Sequence, residues 1–307
     1  MADPCFISAA DAFDDWRDDV LTGGPPVLFP VADPSSTLSK LEIGPGLVTL
    51  IGGAPGAGKT AFVMQIVVDA LRLTQSLRVV VCNIEMTPAV LLNRQLARLS
   101  GIDLKTIRYR QFRPEHSSRL ETGLNTLEDV SDRLAFCKPP YNLGNVAGTA
   151  DAFHANLIVL DYIQRIAPPG EHGDKRGSVD ACMNFIRQFA DAGVAVIVVA
   201  AVSRTKDKAG RSSYDAEGLS LASFRESSEL EFGADDAFIL ARTSEQQVLL
   251  KHLKARHSEP FNHFMDFDGA LQRFTPVASS EHDPGQHGGR FDVSALWGAS
   301  DDCEVSP

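Results

Sequence analysis

Residues 47–62 read LVTLIGGAPGAGKTAF. An apolar run, LVTLIGG, enters a glycine-rich turn and leaves it into a helical pattern that extends from Lys59 to about Leu73. Within the stretch lies G-x-x-x-x-G-K-T, from Gly53 to Thr60. Glycines at this spacing let backbone N–H groups converge on phosphate oxygens, and the helix that follows adds the positive end of its dipole. In such a loop Lys59 contacts the β- and γ-phosphates and Thr60 ligates Mg²⁺. The expected phosphate cradle is Gly53, Ala54, Pro55, Gly56, Ala57, Gly58, Lys59, Thr60 and Ala61. The strand before and the helix after the motif are the context in which the pattern carries chemistry.

Outward from this loop, apolar strands alternate with helical stretches. RVVVCNIE, RLAFC, NLIVLDYIQ and VAVIVVAAV read as strands. Between them, helices are expected from Thr87, as cap, with Pro88 at the first position, to about Leu99; from Pro114 to about Asp129; and from Ser178 to about Asp191. Continuous Val/Ile/Leu strands alternating with helices indicate a parallel sheet covered on both faces. After about residue 236 the runs DAFILA, QVLLKHL, FNHFMDFD and LQRF are short and close together, and read as antiparallel hairpins extending the sheet. A short amphipathic helix is expected at 8–21, with Ala12, Phe13, Trp16, Val20 and Leu21 near one face.

Two strands end in a carboxylate. Asp161 closes LIVLD, where a Walker B acid binds Mg²⁺ through water; the plainer reading is an acid that makes a turn. Glu85 follows VVVCNI, on the edge of a parallel sheet that surrounds a bound ligand. It is suited either to deprotonating an attacking water or to capping the helix that begins near Pro88.

The chain has 307 residues with 44% hydrophobic and 22% charged content, which suits one large soluble domain or at most two. No apolar run reaches the roughly 18 residues of a membrane span, so no membrane partner is expected. The acidic start lacks the basic and apolar regions of a signal peptide. Five cysteines, none in C-x-x-C, argue against a disulfide framework or zinc site and for a reducing cytoplasm, with Cys82 and Cys137 as small core residues. Net charge is −11, but residues 1–20 and 276–307 carry −5 each, leaving −1 on residues 21–275. A neutral body of this kind can still hold a local basic channel.

Together these elements resemble the RecA-type ATPase domain of the DnaB replicative helicases. The resemblance rests on GGAPGAGKTAF, NIEM, LIVLDYIQ, FRESSELEFGADDAFIL and LLKHLKAR, which fall in the family's order over residues 30–275. It implies an α/β fold: a RecA-like P-loop NTPase core with a mostly parallel twisted sheet, helices on both faces and antiparallel hairpins at the C-terminal end. It also implies a linker helix and linker at 1–29 and the ATPase domain at 30–275; the polar composition of 276–307, with Gly, Pro, His and acids, gives the expectation of an acidic, disordered tail there. Family members form six-membered rings around single-stranded DNA and hydrolyse ATP with Mg²⁺ between subunits. By this resemblance Lys59 and Thr60 bind nucleotide and Mg²⁺, Glu85 is the catalytic base, and Asp161 is the Walker B acid. Lys254 and Arg256, matching the family's K-x-R, would lie at a hairpin tip and reach a neighbour's γ-phosphate; the plainer reading is a basic turn in solvent. Arg225 and Glu226 in FRES would face nucleic acid, or else form a capping and ion-pair cluster.

Two departures matter. Where the family has a Gln at the end of the strand VIVVAAV, this chain has Ala201, which cannot hydrogen-bond a γ-phosphate through its side chain; Ser203 and Arg204 are the nearby candidates to substitute. The family's N-terminal, primase-binding domain is absent from this sequence. The basic loop SRTKDKAGRSSYD, with Arg204, Lys206, Lys208 and Arg211, is suited to holding a phosphate backbone without reading sequence, or is simply a solvated surface. PPGEHGDKRGS is a second such loop, Tyr214 and Phe224 are the nearby aromatics for base stacking, and Trp297 marks a docking peptide or an unstructured tail. The expectation is therefore a DnaB-type helicase or translocase, a homo-oligomeric ring on single-stranded DNA with a replication protein as a further partner. The alternative is a RecA- or KaiC-like ATPase that assembles on DNA or protein without unwinding.

Overall fold

The structure, a computed structural model, describes residues 7–168, 175–202, 205–206, 212–213, 218–224 and 229–277. In chain order the elements are α1 (Ala9–Thr22), β1 (Val48–Gly53), α2 (Lys59–Leu73), β2 (Val79–Asn83), α3 (Pro88–Ser100), α4 (Leu104–Arg108) and α5 (Ser117–Ser131). Then come β3 (Leu134–Phe136), α6 (Leu143–Phe153), β4 (Leu157–Asp161), α7 (Lys175–Asp191), β5 (Ala195–Ala201), β6 (Thr205–Lys206) and β7 (Ser212–Ser213). The last elements are α8 (Glu229–Gly233), β8 (Asp236–Arg242), β9 (Gln247–Ala255), β10 (His263–Asp268) and β11 (Arg273–Pro276).

Nine strands form one sheet in the order β11-β10-β9-β8-β1-β5-β4-β2-β3. From β8 to β3 all neighbours are parallel. From β8 to β11 they are antiparallel. β8 is the joint between the two regimes, parallel to β1 on one side and antiparallel to β9 on the other. The continuous apolar strands exist because both faces are covered. Alternate side chains go to opposite faces. Ile51, Val79, Val81, Val159, Ile197 and Phe238 join a core with α2. Leu50, Val80, Ile158, Leu160, Val198 and Ile239 join a second core with α6 and α7.

The α2 helix spans the residues expected from the pattern. Its Gln65 amide brackets the backbone of Phe274, donating to the carbonyl at 2.8 Å and accepting from the N–H at 2.9 Å, and so ties α2 to β11. α3 starts at Pro88 after Thr87 as expected, although Thr87's side chain makes no capping bond. α1 is capped by Ser8 and Asp11, yet none of its residues is buried and Phe13 and Trp16 are exposed. α4 and α6 have no counterpart in the expectations: α4 is barely more than one turn, and α6 buries only Leu143, Val146 and Ala150 among small residues. Cys82, Cys137 and Cys182 are buried free thiols; burial pushes the Cys182 thiol up to about 12. No helix among the described residues is long and apolar enough to cross a membrane.

His263 on β10 is buried, and among the described residues neither ring nitrogen has a hydrogen-bond partner. Burial, then the nearby His252 and Lys40, push its pKa down from 6.5 to about 4. As pH falls below 6.5 the unfolded chain takes up a proton there that the folded protein refuses until about pH 4. Stability present above pH 6.5 is therefore lost on the way to pH 4, by up to about 3 kcal/mol. Thermal unfolding of His263→Leu against the unmodified chain across this range should show a flatter acid limb and no loss at pH 7. Parallel pH profiles would assign the acid limb to other groups.

Candidate nucleotide site

At the carboxyl edge of the parallel strands lies a cavity of about 590 Å³. Pro55, Gly56, Gly58, Lys59, Thr60 and Ala61 form its floor, as the glycine-rich turn requires. Gly58, the N-cap of α2, has φ +93°, and a Cβ there would come within 2.8 Å of the Phe274 ring. Any other residue would meet both a left-handed backbone and a clash. Gly53 pairs with Ala201 on one side and Leu240 on the other, so the loop leaves the sheet between β5 and β8. Ala54 and Ala57 line an adjoining cavity of about 400 Å³, beside Leu219 and Arg242.

Lys59 donates to the carbonyls of Gly53 (2.8 Å) and Ala54 (3.0 Å). Burial lowers its pKa, opposed by the charges of Asp161 and Glu85. The Thr60 hydroxyl donates to Asp161 Oδ2 at 2.7 Å, joining residues from β4 and α2 that lie 101 positions apart. Asp161 is buried, and desolvation raises its pKa against the lowering effects of Thr60, Lys59 and Asn83, with Glu85 adding to the rise.

Asn83 belongs to the site; in the sequence it is only the first residue of NIEM, with no role of its own assigned to it. It pairs with Asp161 across β2 and β4 and donates from Nδ2 to Asp161 Oδ2 at 2.6 Å. Its other end, Oδ1, accepts from the N–H groups of Glu85 (3.1 Å) and Met86 (2.8 Å). One amide thus orients the strand-end carboxylate and fixes the turn that carries Glu85. Glu85 itself is exposed on the cavity wall. Among the described residues its carboxylate makes no hydrogen bond to the start of α3, so the capping alternative has no support there.

The wall also contains Arg94 from α3, Arg242 at the end of β8, and Phe267, Gly269 and Gln272 from the C-terminal hairpin. None of these five stood out in the sequence. Arg94 Nε is buried without a hydrogen-bond partner among the described residues; burial lowers its pKa and Asp161 raises it. Its one legible signal is a position on α3 next to the buried Leu91, Gln95 and Arg98. Ala201 lines the cavity as well, with its N–H and carbonyl bracketed by the Gln164 amide at 3.2 and 3.3 Å.

Lys254 and Arg256 are not brought to this cavity. They sit at the loop end of the β9–β10 hairpin, where Ala255 pairs with Asp236 and Asp236 with Thr49. That is the amino edge of the parallel strands, at least four residues below Gly53, or roughly 13 Å along β1 at ~3.3 Å per residue. Lys254 Nζ donates to the carbonyls of Glu231 (2.6 Å) and Ala234 (2.7 Å), and Arg256 Nη1 to Asp235 Oδ1 (2.6 Å). Neither cation can serve its own chain's phosphate loop from there.

Of the expected nucleic-acid residues, Arg204, Lys208, Arg211, Arg225 and Glu226 lie outside the described residues, as do Ser203, Tyr214, Trp297 and most of PPGEHGDKRGS. Lys206 is described in its backbone, where β6 pairs with β7 as a small ribbon. Phe224 is buried in the second core with its ring against Gly52, so it is no base-stacking platform.

A family model, the DnaB-like helicase C terminal domain, matches residues 42–275. The chain belongs to this family. Among curated proteins it is 22% identical over 239 residues to a probable plasmid replicative DNA helicase of Chlamydia trachomatis, covering 76% of this chain and 51% of that protein. A protein of the same description from Chlamydia muridarum matches to the same extent. The chain therefore spans about half the length of the curated relatives it matches. Among solved structures, one described as an ATPase domain superposes with a TM-score of 0.74 at 17% identity, covering 90% of this chain and 100% of that one. A DnaB-like replicative helicase, described with its interactions with primase, gives 0.74 at 16% identity, covering 90% and 68%. The mixed α/β fold with its large, mostly parallel sheet is that of DnaB-like ATPase domains.

Asn83→Asp keeps the acceptor for Glu85 and Met86 but sets a second carboxylate against Asp161. It should lower stability in the absence of divalent cation by about 1–3 kcal/mol. Mg²⁺ with nucleotide should restore part of that loss, whereas Asn83→Leu should stay destabilised with or without them. Melting curves read both; an Asn83→Asp protein as stable as the unmodified chain in chelator would contradict the bridge.

Proposed function

We propose that this chain is the motor domain of a ring-forming, DnaB-type helicase that binds ATP with Mg²⁺, hydrolyses it between subunits and acts on single-stranded DNA. The observation that carries the reading is the division of groups: Lys59, Thr60, Glu85 and Asp161 share one cavity, while Lys254 and Arg256 sit at the opposite sheet edge. A ring places one copy's amino edge against the next copy's cavity, through a head-to-tail interface that closes on itself. We read residues 30–275 as the ATPase domain, 1–29 as linker helix and linker, and 276–307 as an acidic tail.

The residues present fit the implied group. No cluster of three or more acidic, His or Cys ligands exists among the described residues, so there is no all-protein metal cage there. Mg²⁺ commonly takes one or two protein oxygens and completes its shell with phosphate and water. The Thr60 hydroxyl and Asp161 carboxylate, already 2.7 Å apart, supply such a pair. When bound, Mg²⁺ withdraws charge from the β- and γ-phosphates. Lys59 would leave its loop carbonyls for phosphate oxygens, and the exposed Glu85 carboxylate would take the proton of the attacking water. Lys254 and Arg256 would supply positive charge from the adjacent copy.

A second reading, a RecA- or KaiC-like ATPase that switches a partner without unwinding, is favoured by Ala201, which lines the cavity where the family carries a Gln. The deciding measurement is ATP turnover with and without single-stranded DNA, beside the mass of the particle in solution. The expected result is a ring-sized particle whose turnover rises on DNA. A monomer, or a ring indifferent to DNA, overturns the motor reading. Glu85→Gln should lower turnover by about 10²–10⁴-fold while still binding nucleotide. Full turnover in that variant removes Glu85 from the role of base.

A further inference from the structure

Asp235, between α8 and β8, is 1% exposed and lies at the edge of the sheet opposite the nucleotide cavity. Its Oδ1 accepts from Arg256 Nη1 at 2.6 Å. Its Oδ2 accepts from Arg187 Nη1 at 2.7 Å and from the backbone N–H of Val48 at 2.8 Å. The main chain repeats the connection: Asp235 donates to the Val48 carbonyl at 2.8 Å, and Arg256 donates to the Asp235 carbonyl at 3.0 Å. One residue thereby joins the first residue of β1, helix α7 and the end of β9. Arg256 is held on one side only; its side chain is 44% exposed, and its contacts with Asp235 and the Phe232 carbonyl use part of its five-donor set. Lys254 is held in parallel by the carbonyls of Glu231 in α8 and of Ala234 just past its end, where a cation is favoured.

A guanidinium on a flexible stem would sample many rotamers at an exposed edge. A buried carboxylate whose second oxygen is locked by Arg187 and a strand amide cannot follow it. We propose that Asp235 is the positioning residue for Arg256, setting its guanidinium at the amino edge of the sheet for a neighbouring copy's phosphate. The inference rests on reading Arg256 as a residue that acts in trans. It adds that Arg256 is set in place by its own subunit before any neighbour engages it.

The test uses the full chain and mixing. Asp235→Asn keeps shape and removes the charge that holds Arg256. It should lower ATP turnover by about 100-fold, as a displacement of about 1 Å can, and leave the affinity for a non-hydrolysable ATP analogue unchanged. Mixed with Lys59→Ala protein it should regain turnover, because some interfaces then join an intact phosphate loop to an intact Arg256. A residue that only braced β1 would damage its own phosphate loop, and mixing would restore nothing. Arg256→Ala mixed with Lys59→Ala is the reference. Recovery there without recovery for Asp235→Asn overturns the positioning role alone; no recovery in either pair removes the trans reading beneath it. Wild-type turnover by Asp235→Asn also overturns the inference. Should Asp235→Asn not fold, Asp235→Glu, which keeps the charge and shifts it by one methylene, is put through the same mixing with the same expected recovery.

Discussion

A buried carboxylate at the end of β4 is the constraint around which the site is arranged. Taking a charged group out of water costs several kcal/mol unless other groups answer it. Asp161 is answered by the Thr60 hydroxyl, the Asn83 amide and the Lys59 charge. Thr60 and Lys59 come from the start of α2 and Asn83 from the end of β2, so answering this carboxylate brings α2, β2 and β4 to one edge of the sheet. The Gly56–Gly58 turn, the register of β2 on β4 and the placement of Glu85 follow from it. The same arrangement leaves positive charge and hydroxyl facing a cavity, which is what a phosphate with its cation requires.

The sheet separates two kinds of chemistry by its two edges. Parallel strands bring their carboxyl ends to one side, where the loops carry Lys59, Glu85 and Asp161. β8 then reverses the regime, since β9 runs back against it and delivers Lys254 and Arg256 to the amino side. A single copy therefore holds these groups at two edges that no single nucleotide can span. Under the proposed function, association in a ring resolves this, and each interface brings the two edges together.

Much of this was legible in the residues because it is local. The phosphate loop, β1 and α2 follow from glycine spacing and an apolar period, and Asp161 and Glu85 were visible because apolar runs end in them. What was not legible depends on pairing between distant segments. Asn83 reads as the polar end of a strand until its pairing with β4, 78 residues on, gives its amide two tasks. Arg94 is one more cation on a helix until α3 folds over the cavity. Arg242 and Gln272 reach the wall through the antiparallel extension, whose order no periodicity specifies. α6 escaped because Gly and Ala leave little apolar stripe, and α4 because a single turn has no period. Arg204, Lys208, Arg211, Arg225 and Glu226 lie outside what the structure describes, and Phe224 turned inward because Gly52 leaves room for its ring.

Under the proposed function, Ala201 changes how nucleotide state would be read by the rest of the chain. At that strand end a side chain with donors would sense phosphate directly, and an alanine offers only its backbone. Both backbone groups are already taken by Gln164, from the segment that follows Asp161. A shift of Asp161 with its ligands would thus move β5's end through Gln164 rather than through a side chain of β5 itself. Under the proposed function the other connected path runs through the neighbour: a phosphate that engaged Arg256 would pull on Asp235, and Asp235 is bonded to the first residue of the strand that leads to its own phosphate loop. The first path is weak because two amide bonds above 3 Å carry it. The second runs through charged groups at 2.6–2.8 Å, in a residue with no solvent to absorb the strain. On these magnitudes, communication between successive sites in the proposed ring favours the interface over the strand end.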